Sequence, residues 1–488
     1  MDLTRGQFLQ AACGGAAVAL LPARTARAAA TVPAETAGTP GYMSFHSRRD
    51  LHPPTVSVSG GAASGDEGYF FLGPTNNGGA QAGALIVDAA GQLVWFHPVP
   101  HGQWVSNFKV QQYANQPVLA WWEGVVDAAS GYGRGSGVIL DTSYRQVGRI
   151  HAGRGRHADL HELLLTPEGT ALVTCYPQTV PADLSSLGGS RDGQVLESVI
   201  QEIDIRTGRV LLEWRSLDHI PLTESYLSPW GLWDYLHVNS IDLTSDGHLL
   251  ISARNTWAVY KIHRRSGRVL WRLGGKQSDF AMAHGARFAW QHDARVQPGS
   301  RITLFDDGAG ARKTESQSRG LVLALDHAHH RASLVQAYRH PRPLLAYAMG
   351  NMQLLDDGSV ILGWGNWPGA SEFAPDGSLQ TDLRLPWGHA TYRAFRLPWN
   401  GQPLDPPAVA AITAGSVSDL YASWNGATGV AAWQANAGPS PTALSPVGIT
   451  PRAGFETPIA LPTSSGYASV TALDSAGRGL GSSAALGL

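Results

Sequence analysis

The stretch HVNSIDLTSDGHLLISARN at residues 237–255, followed by AVYKIHRRSGRVLWRLGG at 258–275, decides the fold class. Each half alternates apolar and polar residues on both sides of a turn pair, Asp-Gly in the first half and Ser-Gly in the second. This is the pattern of a β-hairpin. Two hairpins in about 40 residues have the length of one β-propeller blade. The stretch therefore predicts one four-stranded unit of a repeat protein.

Related segments recur between residues 60 and 400, and several of them end near a tryptophan. They are ALIVDAAGQLVWF (84–96), HELLLTPEGTALVTCY (161–176), QEIDIRTGRVLLEW (201–214), MQLLDDGSVILGW (352–364) and EFAPDGSLQTDLRL (372–385). At roughly 40 to 50 residues per blade, the region holds six to eight units, and an insertion at 177–197 favours six. We therefore predict an all-β chain with a six-bladed β-propeller over 60–405, preceded by an N-terminal extension at 29–59.

The composition changes after the Pro-rich break NGQPLDPPA, so we place a domain boundary near Pro406. Residues 408–488 are rich in Ala, Ser, Thr and Gly and contain alternating strands such as LYASWNG (420–426) and YASVTALD (467–474). About 80 residues of short strands predict a small C-terminal β-sandwich of the fibronectin III or Ig-like kind. This segment has no cluster of histidines or acids, so we assign it no chemistry.

Charge and hydropathy exclude two classes of partner. Lys and Arg total 36 against 38 Asp and Glu, so no overall positive field exists to bind nucleic acid. No segment after the first thirty residues approaches the roughly 20 apolar residues of a membrane helix. Any anionic ligand must therefore be bound by a local site.

The first 28 residues are typical of an export signal. Arg5 is followed by an apolar stretch at 11–21 and by Ala26-Arg27-Ala28 as a cleavage site. We therefore expect a secreted mature chain that begins near Ala29. TRGQFLQ at 4–10 is similar to a twin-arginine leader, with Gly6 in the place of the second arginine. Cleavage leaves one cysteine, Cys175, so an intramolecular disulfide is excluded.

Four residues near predicted strand ends are candidates for chemistry, because strand starts can line the central channel of a propeller. They are His161 in ADLHELLL, His237 in YLHVNSI, Arg254 in LISARN and His292 in WQHDARV. The alternative is that such histidines only bond neighbouring blades. A metal site is a second alternative, because His157, Asp159, His161 and Glu162 cluster locally. The helical spacing of HExxH is missing, so we predict no metal ligands.

The motifs LHVNSIDLTSDGHLLISARN, Trp-x-x-Gly-Gly at 271–275, WQHDARV, FDDGAG (305–310) and GNMQLLDDGSVILGWG (350–365) resemble the bacterial and fungal arylsulfotransferases. The resemblance covers most of 60–400. It implies a six-bladed propeller that moves a sulfuryl group from a phenolic sulfate ester to a phenol by a ping-pong mechanism, without a nucleotide donor. By the same resemblance His292 is the nucleophile, His237 and Arg254 bind the sulfate, and His161 is an earlier channel histidine, a role for which His157 competes.

This chemistry is reasonable for these residue types. Charge spreads over three oxygens during sulfuryl transfer, so a cation such as Arg254 must face them. A neutral imidazole at His292 can attack and form a covalent intermediate, and nearby Arg254 should lower its pKa. His237 or His161 can act as general acid and base. Asn239, Trp290 and Trp364 are predicted to contact substrate, the tryptophans as aromatic walls, although blade packing is the alternative for both tryptophans.

Two other functions remain as alternatives from the sequence. IDIRTGRVLLEW and IHRRSGRVLW are similar to repeats of quinoprotein dehydrogenase propellers, although an adjacent cysteine pair is lacking. A non-catalytic propeller that binds a partner through its face is the other alternative. A nucleotide-dependent sulfotransferase is excluded, because the chain has no GxxxxGK[ST] motif. We predict an enzyme that requires no cofactor and acts on small phenols and aryl sulfates.

Overall fold

The structure is a computed structural model and describes residues 41–61, 68–75, 79–127, 130–414, 417–461 and 466–488. The predicted signal peptide lies outside the described residues. Within them strands dominate, and the helices are three single 3-10 turns at Ser185–Leu187, Ser216–Asp218 and Leu222–Glu224. In these ranges no helix has the length and apolar character that crossing a membrane requires.

The first 27 strands lie between residues 57 and 397. In chain order they are β1 (Ser57–Gly60), β2 (Tyr69–Pro74), β3 (Gly83–Val87), β4 (Leu93–Pro98), β5 (Gln103–Tyr113), β6 (Gln116–Asp127), β7 (Tyr132–Leu140), β8 (Gln146–Ile150), β9 (Ala158–Leu165), β10 (Thr170–Ala182), β11 (Gly193–Asp204), β12 (Val210–Arg215), β13 (Leu232–Trp233), β14 (Val238–Leu243), β15 (Leu249–Ala253), β16 (Ala258–Ile262), β17 (Val269–Gly274), β18 (Ala281–Met282), β19 (His292–Gln297), β20 (Arg301–Asp306), β21 (Arg319–Asp326), β22 (Arg331–Tyr338), β23 (Asn351–Leu354), β24 (Val360–Gly363), β25 (Gly369–Phe373), β26 (Leu379–Arg384) and β27 (Thr391–Leu397).

These strands form antiparallel groups of four. The groups are β27-β2-β3-β4, β5-β6-β7-β8, β9-β10-β11-β12, β14-β15-β16-β17, β19-β20-β21-β22 and β23-β24-β25-β26, and the second and third are joined by a β7–β9 bridge. Three short strands extend outer edges: β1 pairs with β26, β13 with β11, and β18 with β22. The first group contains strands from both ends of the region, because β27 pairs with β2.

The groups follow one another in a closed circle. β27 contacts β5, and contacts continue from β5 to β9, β9 to β14, β14 to β19, β19 to β23, and β23 back to β27. The first strands of all the groups therefore surround a common centre, which is a propeller-like arrangement. Side chains at the starts of these strands converge there.

The segment 237–275, from which the fold was predicted, forms the four strands β14 to β17 of one sheet. Its first turn is made by Asp246-Gly247: Gly247 has φ +76° and donates its N–H to the Thr244 carbonyl at 2.8 Å. Glycine suits this position because it has no Cβ to strain a positive φ. The Thr244 hydroxyl also donates to Asp246 at 2.6 Å, so the turn is fixed by its own side chains.

Each sheet is buried on both faces because it packs between two neighbours. In β15, Ile251 joins a cluster with Leu172 and Trp214 of the preceding group. The adjacent Leu250 belongs to a different cluster, shared with the following group. Successive side chains of a strand point to opposite faces, so the near-continuous apolar run HLLIS supplies two cores at once.

Residues 408–487 form two further sheets that share one apolar core, which includes Leu420, Trp433 and Val470. Their strands are β28 (Ala408–Ala414), β29 (Val417–Ser423), β30 (Ala432–Ser440), β31 (Ala443–Pro451), β32 (Glu456–Ala460), β33 (Tyr467–Leu473), β34 (Gly479–Ser482) and β35 (Leu486–Gly487). One sheet has the order β28-β29-β32 and the other has the order β31-β30-β33-β34, with β35 paired to β33.

This C-terminal unit is attached to the first group of strands. The Asn425 side chain exchanges two hydrogen bonds with the Phe96 backbone, at 2.9 and 3.0 Å. Phe455 packs into an apolar cluster with Phe70 and Leu85, and the Ser47 N–H donates to Glu456 at 2.7 Å. The unit and the N-terminal extension therefore support the ring from the side of its closing strands.

Candidate active site

A cavity of about 240 Å³ opens at the centre of the ring. It is lined by side chains from several groups of strands and the loops between them. They are Trp104, Val126, Ser130, Gly131, Leu160, His161, Leu227, Ser228, Trp230, Leu232, Trp233, Asp234, His237, Arg254, His292, Ala311, Ala348, Met349 and Tyr392. No described residue of 408–488 takes part, so the cavity belongs to the ring alone.

The structure brings the four predicted catalytic residues to this cavity. His161 lies on β9, His237 directly precedes β14, Arg254 directly follows β15, and His292 begins β19. The rings of His161 and His237 meet edge to face with centroids 4.7 Å apart. The convergence follows from the closed circle of first strands, which places residues far apart in the sequence around one centre.

Each of the three histidines has its Nδ1 paired with a buried carboxylate. His161 lies 2.5 Å from Asp159, His237 lies 2.6 Å from Asp234, and His292 lies 2.7 Å from Asp307. A carboxylate at Nδ1 orients the ring and selects its tautomer. All three imidazoles are therefore held from the same nitrogen, which leaves Nε2 for other partners.

His292 is buried, with side-chain exposure of 3%. Burial lowers its pKa well below the usual range, and the positive charge of Arg254 lowers that pKa further. The backbone N–H of Met349 donates to Nε2 at 3.3 Å. Since an N–H can only donate, Nε2 carries the lone pair and Nδ1 carries the proton.

Asp307, the partner of His292, is fully buried at the end of β20. Burial raises the pKa of its carboxyl group well above the usual range, while Arg254 opposes that rise and Asp306 adds to it. Burial thus disfavours the charged form of both groups. The Met349 contact at Nε2 places the proton of the neutral ring on Nδ1, which faces the carboxyl group of Asp307.

Arg254 supplies the positive charge in the wall of the cavity. Its Nη2 donates to the Tyr347 carbonyl at 2.8 Å, and its guanidinium carbon lies 4.9 Å from the centre of the Trp290 ring. Stacking on tryptophan and a hydrogen bond to a carbonyl fix the plane of a guanidinium group. Its Nη1 also donates to the Asn255 side chain at 3.3 Å, and Arg254 lines the cavity together with His292.

A second set of charges adjoins the histidines through Glu162, the neighbour of His161. Glu162 pairs with Arg295 at 2.5 Å, with Arg393 at 3.0 Å and with Lys109 at 3.7 Å. Burial alone would raise the pKa of Glu162, but these three cations lower it below its usual range. Burial also lowers the pKa of Lys109 to about 8. Glu162 is therefore engaged in ion pairs.

The Glu162 pairs bear on the metal site that was weighed from the sequence. Within the described parts of the chain, no group of three His, Cys, Asp or Glu side chains is placed to bind a metal ion. Of the cluster named there, Asp159 bonds His161 and Glu162 bonds arginines. His157 is exposed and does not line the cavity, whereas His161 does.

The three predicted substrate contacts lie behind the wall of the cavity. The Asn239 side chain donates to the Gln291 carbonyl at 2.7 Å, and Trp290 packs under Arg254. Trp364 is buried against Phe305 of the preceding group of strands, with ring centroids 5.8 Å apart. None of the three is among the residues that line the cavity. The packing alternative describes Trp364, and Trp290 acts on the cavity through Arg254.

The cavity mouth has an apolar side opposite in character to Arg254. Trp230 is 87% exposed and Leu232 is 46% exposed, although both line the cavity. Trp104 and Val126 continue this side from β5 and β6. Large exposed apolar side chains gathered at a cavity indicate a binding surface. The mouth therefore suits a ligand with an aromatic end and an anionic end.

Backbone strain is concentrated at the same place. His237, Trp290, Asp293 and Met349 all have positive φ, at +58°, +61°, +55° and +69°. Such conformations are unfavourable for residues with a Cβ and are typical of functional sites. They turn the chain at the starts of β14, β19 and β23, and His237 and Met349 of this set line the cavity.

The histidine–carboxylate pairs and the Met349 contact were not predicted from the sequence, and Asp159 was considered there only as part of a metal cluster. Two of the carboxylates had a signal, since Asp159 and Asp234 lie two and three residues before their histidines. Asp307 lies in FDDGAG, 15 residues after His292, and its pairing depends on the β19–β20 register. Met349 comes from the next group of strands, and a backbone donor has no signature in sequence.

The fold and the site define an all-β, propeller-like protein with a His-Arg cavity at its centre. The sequence model of the arylsulfotransferase (ASST) family matches residues 109–385. This match spans more than half of the chain, and the protein belongs to that family. No curated protein sequence matches the chain.

Several solved structures are similar in chain trace at low identity. A protein of unknown function from Bacteroides caccae has 13% identity and a TM-score of 0.43, with 68% of this chain and 99% of that chain covered. A periplasmic gluconolactonase from Pseudomonas aeruginosa has 13% identity and a TM-score of 0.36, with 81% and 99% covered. Virginiamycin B lyase from Staphylococcus aureus has 10% identity and a TM-score of 0.32, with 75% and 94% covered. The family assignment depends on the sequence match.

Proposed function

We propose that the protein transfers a sulfuryl group from an aryl sulfate ester to a phenolic acceptor through a covalent intermediate on His292. The observation that supports this proposal is the buried His292, which lines the same cavity as Arg254 and whose Nε2 accepts a hydrogen bond from the Met349 N–H. A neutral nucleophile beside a fixed cation is what attack on an anionic sulfate ester requires. The family assignment supports the same reaction.

We also propose the finer architecture that this function requires. The six groups of strands act as the six blades of a propeller over residues 60–405, closed by β27 on β2. Residues 408–488 form a separate β-sandwich domain, in support of which two sheets share one core. The catalytic chemistry lies wholly in the propeller, since the described residues that line the cavity all precede Thr391 or lie on β27.

In the first half-reaction the ester binds with its sulfate toward Arg254 and its aryl ring toward Trp230 and Leu232. The Nε2 lone pair gives up the Met349 hydrogen bond and attacks sulfur, the bond between sulfur and the aryl oxygen breaks, and the departing phenolate takes a proton from His161 or His237. The ring centroids of the two histidines lie 4.7 Å apart, so the histidine that does not donate the proton still packs against the one that does. General acid help of this kind typically contributes 10²–10⁴-fold.

In the second half-reaction an acceptor phenol occupies the site of the departed one. The same histidine removes its proton, the phenolate oxygen attacks sulfur, and the bond between sulfur and Nε2 breaks. His292 is restored with its lone pair. Both half-reactions use one cavity and one set of groups, which is why we propose ping-pong kinetics without a nucleotide donor.

The test is an assay of purified protein with a chromogenic aryl sulfate and a phenol, with no nucleotide added. We expect turnover, a burst of one phenol per active site without acceptor, and a mass gain of one sulfuryl group on the peptide that contains His292. His292→Asn should abolish both half-reactions because an amide cannot attack sulfur.

The matched control is His157→Asn, since His157 is exposed and does not line the cavity. It should retain the wild-type rate. An adduct mapped to His161 or His237 would contradict the assignment of the nucleophile. Absence of turnover with every aryl sulfate would favour a binding module, and a bound quinone absorbance would favour a dehydrogenase.

A further inference from the structure

We propose that Asp307 is the positioning residue of the transfer: it keeps His292 in the tautomer with its lone pair on Nε2 and balances the positive charge that the ring gains when Nε2 bonds to sulfur. This inference rests on the proposed function. It goes further by assigning a role to a residue that does not line the cavity.

Both ring nitrogens of His292 have hydrogen-bond partners, and the backbone partner can only donate. The Met349 N–H donates to Nε2 at 3.3 Å, and Nδ1 lies 2.7 Å from an oxygen of Asp307. A ring that accepts at Nε2 must donate at Nδ1 when it is neutral. Asp307 is the acceptor for that proton, so its loss would free the ring to exchange tautomers.

Apart from His292, the Asp307 carboxyl group lacks a hydrogen-bond donor at one of its oxygens. Its second oxygen, Oδ1, is buried and has no hydrogen-bond donor among the described residues. The neighbouring Asp306 differs, because it accepts from the Ala289 N–H at 3.0 Å and from Arg319 at 2.9 Å. A buried carboxylate that lacks donors responds strongly to a positive charge beside it.

The covalent step leaves a positive charge on the His292 ring. The lone pair of Nε2 forms the bond to sulfur and the electrons of the broken ester bond leave with the aryl oxygen, so the ring becomes an N-sulfo imidazolium. No proton need leave Nδ1, because the Asp307 carboxylate lies against it. The cation is thus neutralised across one hydrogen bond, in a site where a low dielectric strengthens the attraction.

Asp159 and Asp234 hold His161 and His237 in the same way, which permits an internal comparison. Those histidines do not bond to sulfur in the proposed reaction, and they transfer protons to and from the phenol. Loss of their carboxylates should therefore affect poor leaving groups most. Loss of Asp307 should slow attack on every ester, whatever its leaving group.

The experiment measures the pre-steady-state burst of wild type, Asp307→Asn, Asp159→Asn and the control Asp326→Asn, with phenyl sulfate and with a nitrophenyl sulfate; the Asp326 carboxylate pairs with Nδ1 of His329 at the surface. For Asp307→Asn we expect the burst rate to fall by about 10²–10⁴-fold, as for loss of an orienting carboxylate, and by similar factors for both esters. Asp159→Asn should slow phenyl sulfate more than the nitrophenyl ester. Asp326→Asn should retain both the burst rate and the burst amplitude, because this pair does not line the cavity.

A merely structural role for Asp307 predicts a lower burst amplitude with an unchanged rate per active site, and that result would overturn the inference. Nitrogen-15 NMR of labelled histidine supplies a readout that does not depend on turnover. Wild type should show a protonated Nδ1 and an unprotonated Nε2 for His292, and the reverse would also overturn it. A wild type that releases no phenol refutes the proposed function, whereas a reactive wild type with a protonated Nε2 refutes only the role of Asp307.

Discussion

Replacing Arg254 by lysine should separate binding of the sulfate ester from stabilisation of the transferring group. The plane of the guanidinium is held by hydrogen bonds to the Tyr347 carbonyl at 2.8 Å and to Asn255 at 3.3 Å, and by stacking at 4.9 Å on Trp290. A lysine retains the positive charge, but it has neither the planar fork nor the stacked surface. The ester should still be attracted, while the oxygens of the sulfuryl group lose a fixed donor.

The expected size of the effect follows from comparison with loss of an oxyanion donor, about 2–4 kcal/mol. At 1.36 kcal/mol per tenfold, this corresponds to a fall in kcat of roughly 30- to 900-fold. KM should change far less, because the charge that draws the anion remains. Steady-state kinetics with an aryl sulfate over a range of concentrations, at saturating acceptor, measures both quantities.

Arg312→Lys is the matched control for this prediction. Arg312 also lies over a tryptophan, with its guanidinium carbon 4.5 Å from the centre of the Trp257 ring, but it does not line the cavity. Its replacement should leave kcat near the wild-type value. If Arg254→Lys kept kcat within threefold of wild type, or lost activity only through KM, the role assigned to the fork would be refuted.

Four further predictions concern pH, acceptor size, the C-terminal unit and export. Arg254→Gln removes the charge that, second to burial, lowers the pKa of His292. That pKa should rise in the variant, so the acid limb of the pH profile of the burst rate should move to higher pH. An acid limb at the wild-type pH would contradict the coupling between the two residues. Trp230→Ala removes an aromatic face at the cavity mouth. KM for a two-ring phenol should therefore rise by about 2- to 13-fold, which corresponds to 0.5–1.5 kcal/mol for one aromatic contact. KM for phenol should change less, and equal changes would place the acceptor elsewhere. Deletion of 408–488 should lower the melting temperature, because Phe455 and Asn425 leave the ring, yet retain turnover per folded molecule; total loss of turnover in a folded truncated chain would give this unit a catalytic role. Exported protein should begin near Ala29 by N-terminal sequencing, and a secreted chain with Met1 intact would disprove cleavage.

The sequence was most informative where strand pairing is local. Residues 237–275 showed the alternation and turn pairs of two hairpins, and the structure has four consecutive strands there. A local hairpin needs only its own turn to set its register. The insertion noted at 177–197 is an extension of the β10–β11 hairpin, in which Gln178 pairs with Glu197, so its turn alone did not reveal how far its strands continue.

The site was less predictable, because much of it depends on register between strands and on neighbouring groups. Asp307 reaches His292 only because β19 and β20 place His292 opposite Phe305. Met349 and Tyr392 approach from other groups, and Trp230 lies in the connection between the third and fourth. The sequence does not show which face of a sheet a tryptophan near the end of a repeat covers. Trp364 was therefore predicted to contact substrate, whereas it is a core residue.

The strand that closes the ring determines when, during synthesis, the cavity becomes complete. β27 is the last strand of the ring to be synthesised, yet Tyr392 lines the cavity and the adjacent Arg393 pairs with Glu162 beside His161. Every earlier contributor to the cavity is present in a nascent chain before this strand emerges, but the pocket lacks a wall and Glu162 lacks one of its cations. The cavity is therefore complete only after synthesis has passed Arg393 and the two ends of the ring have met.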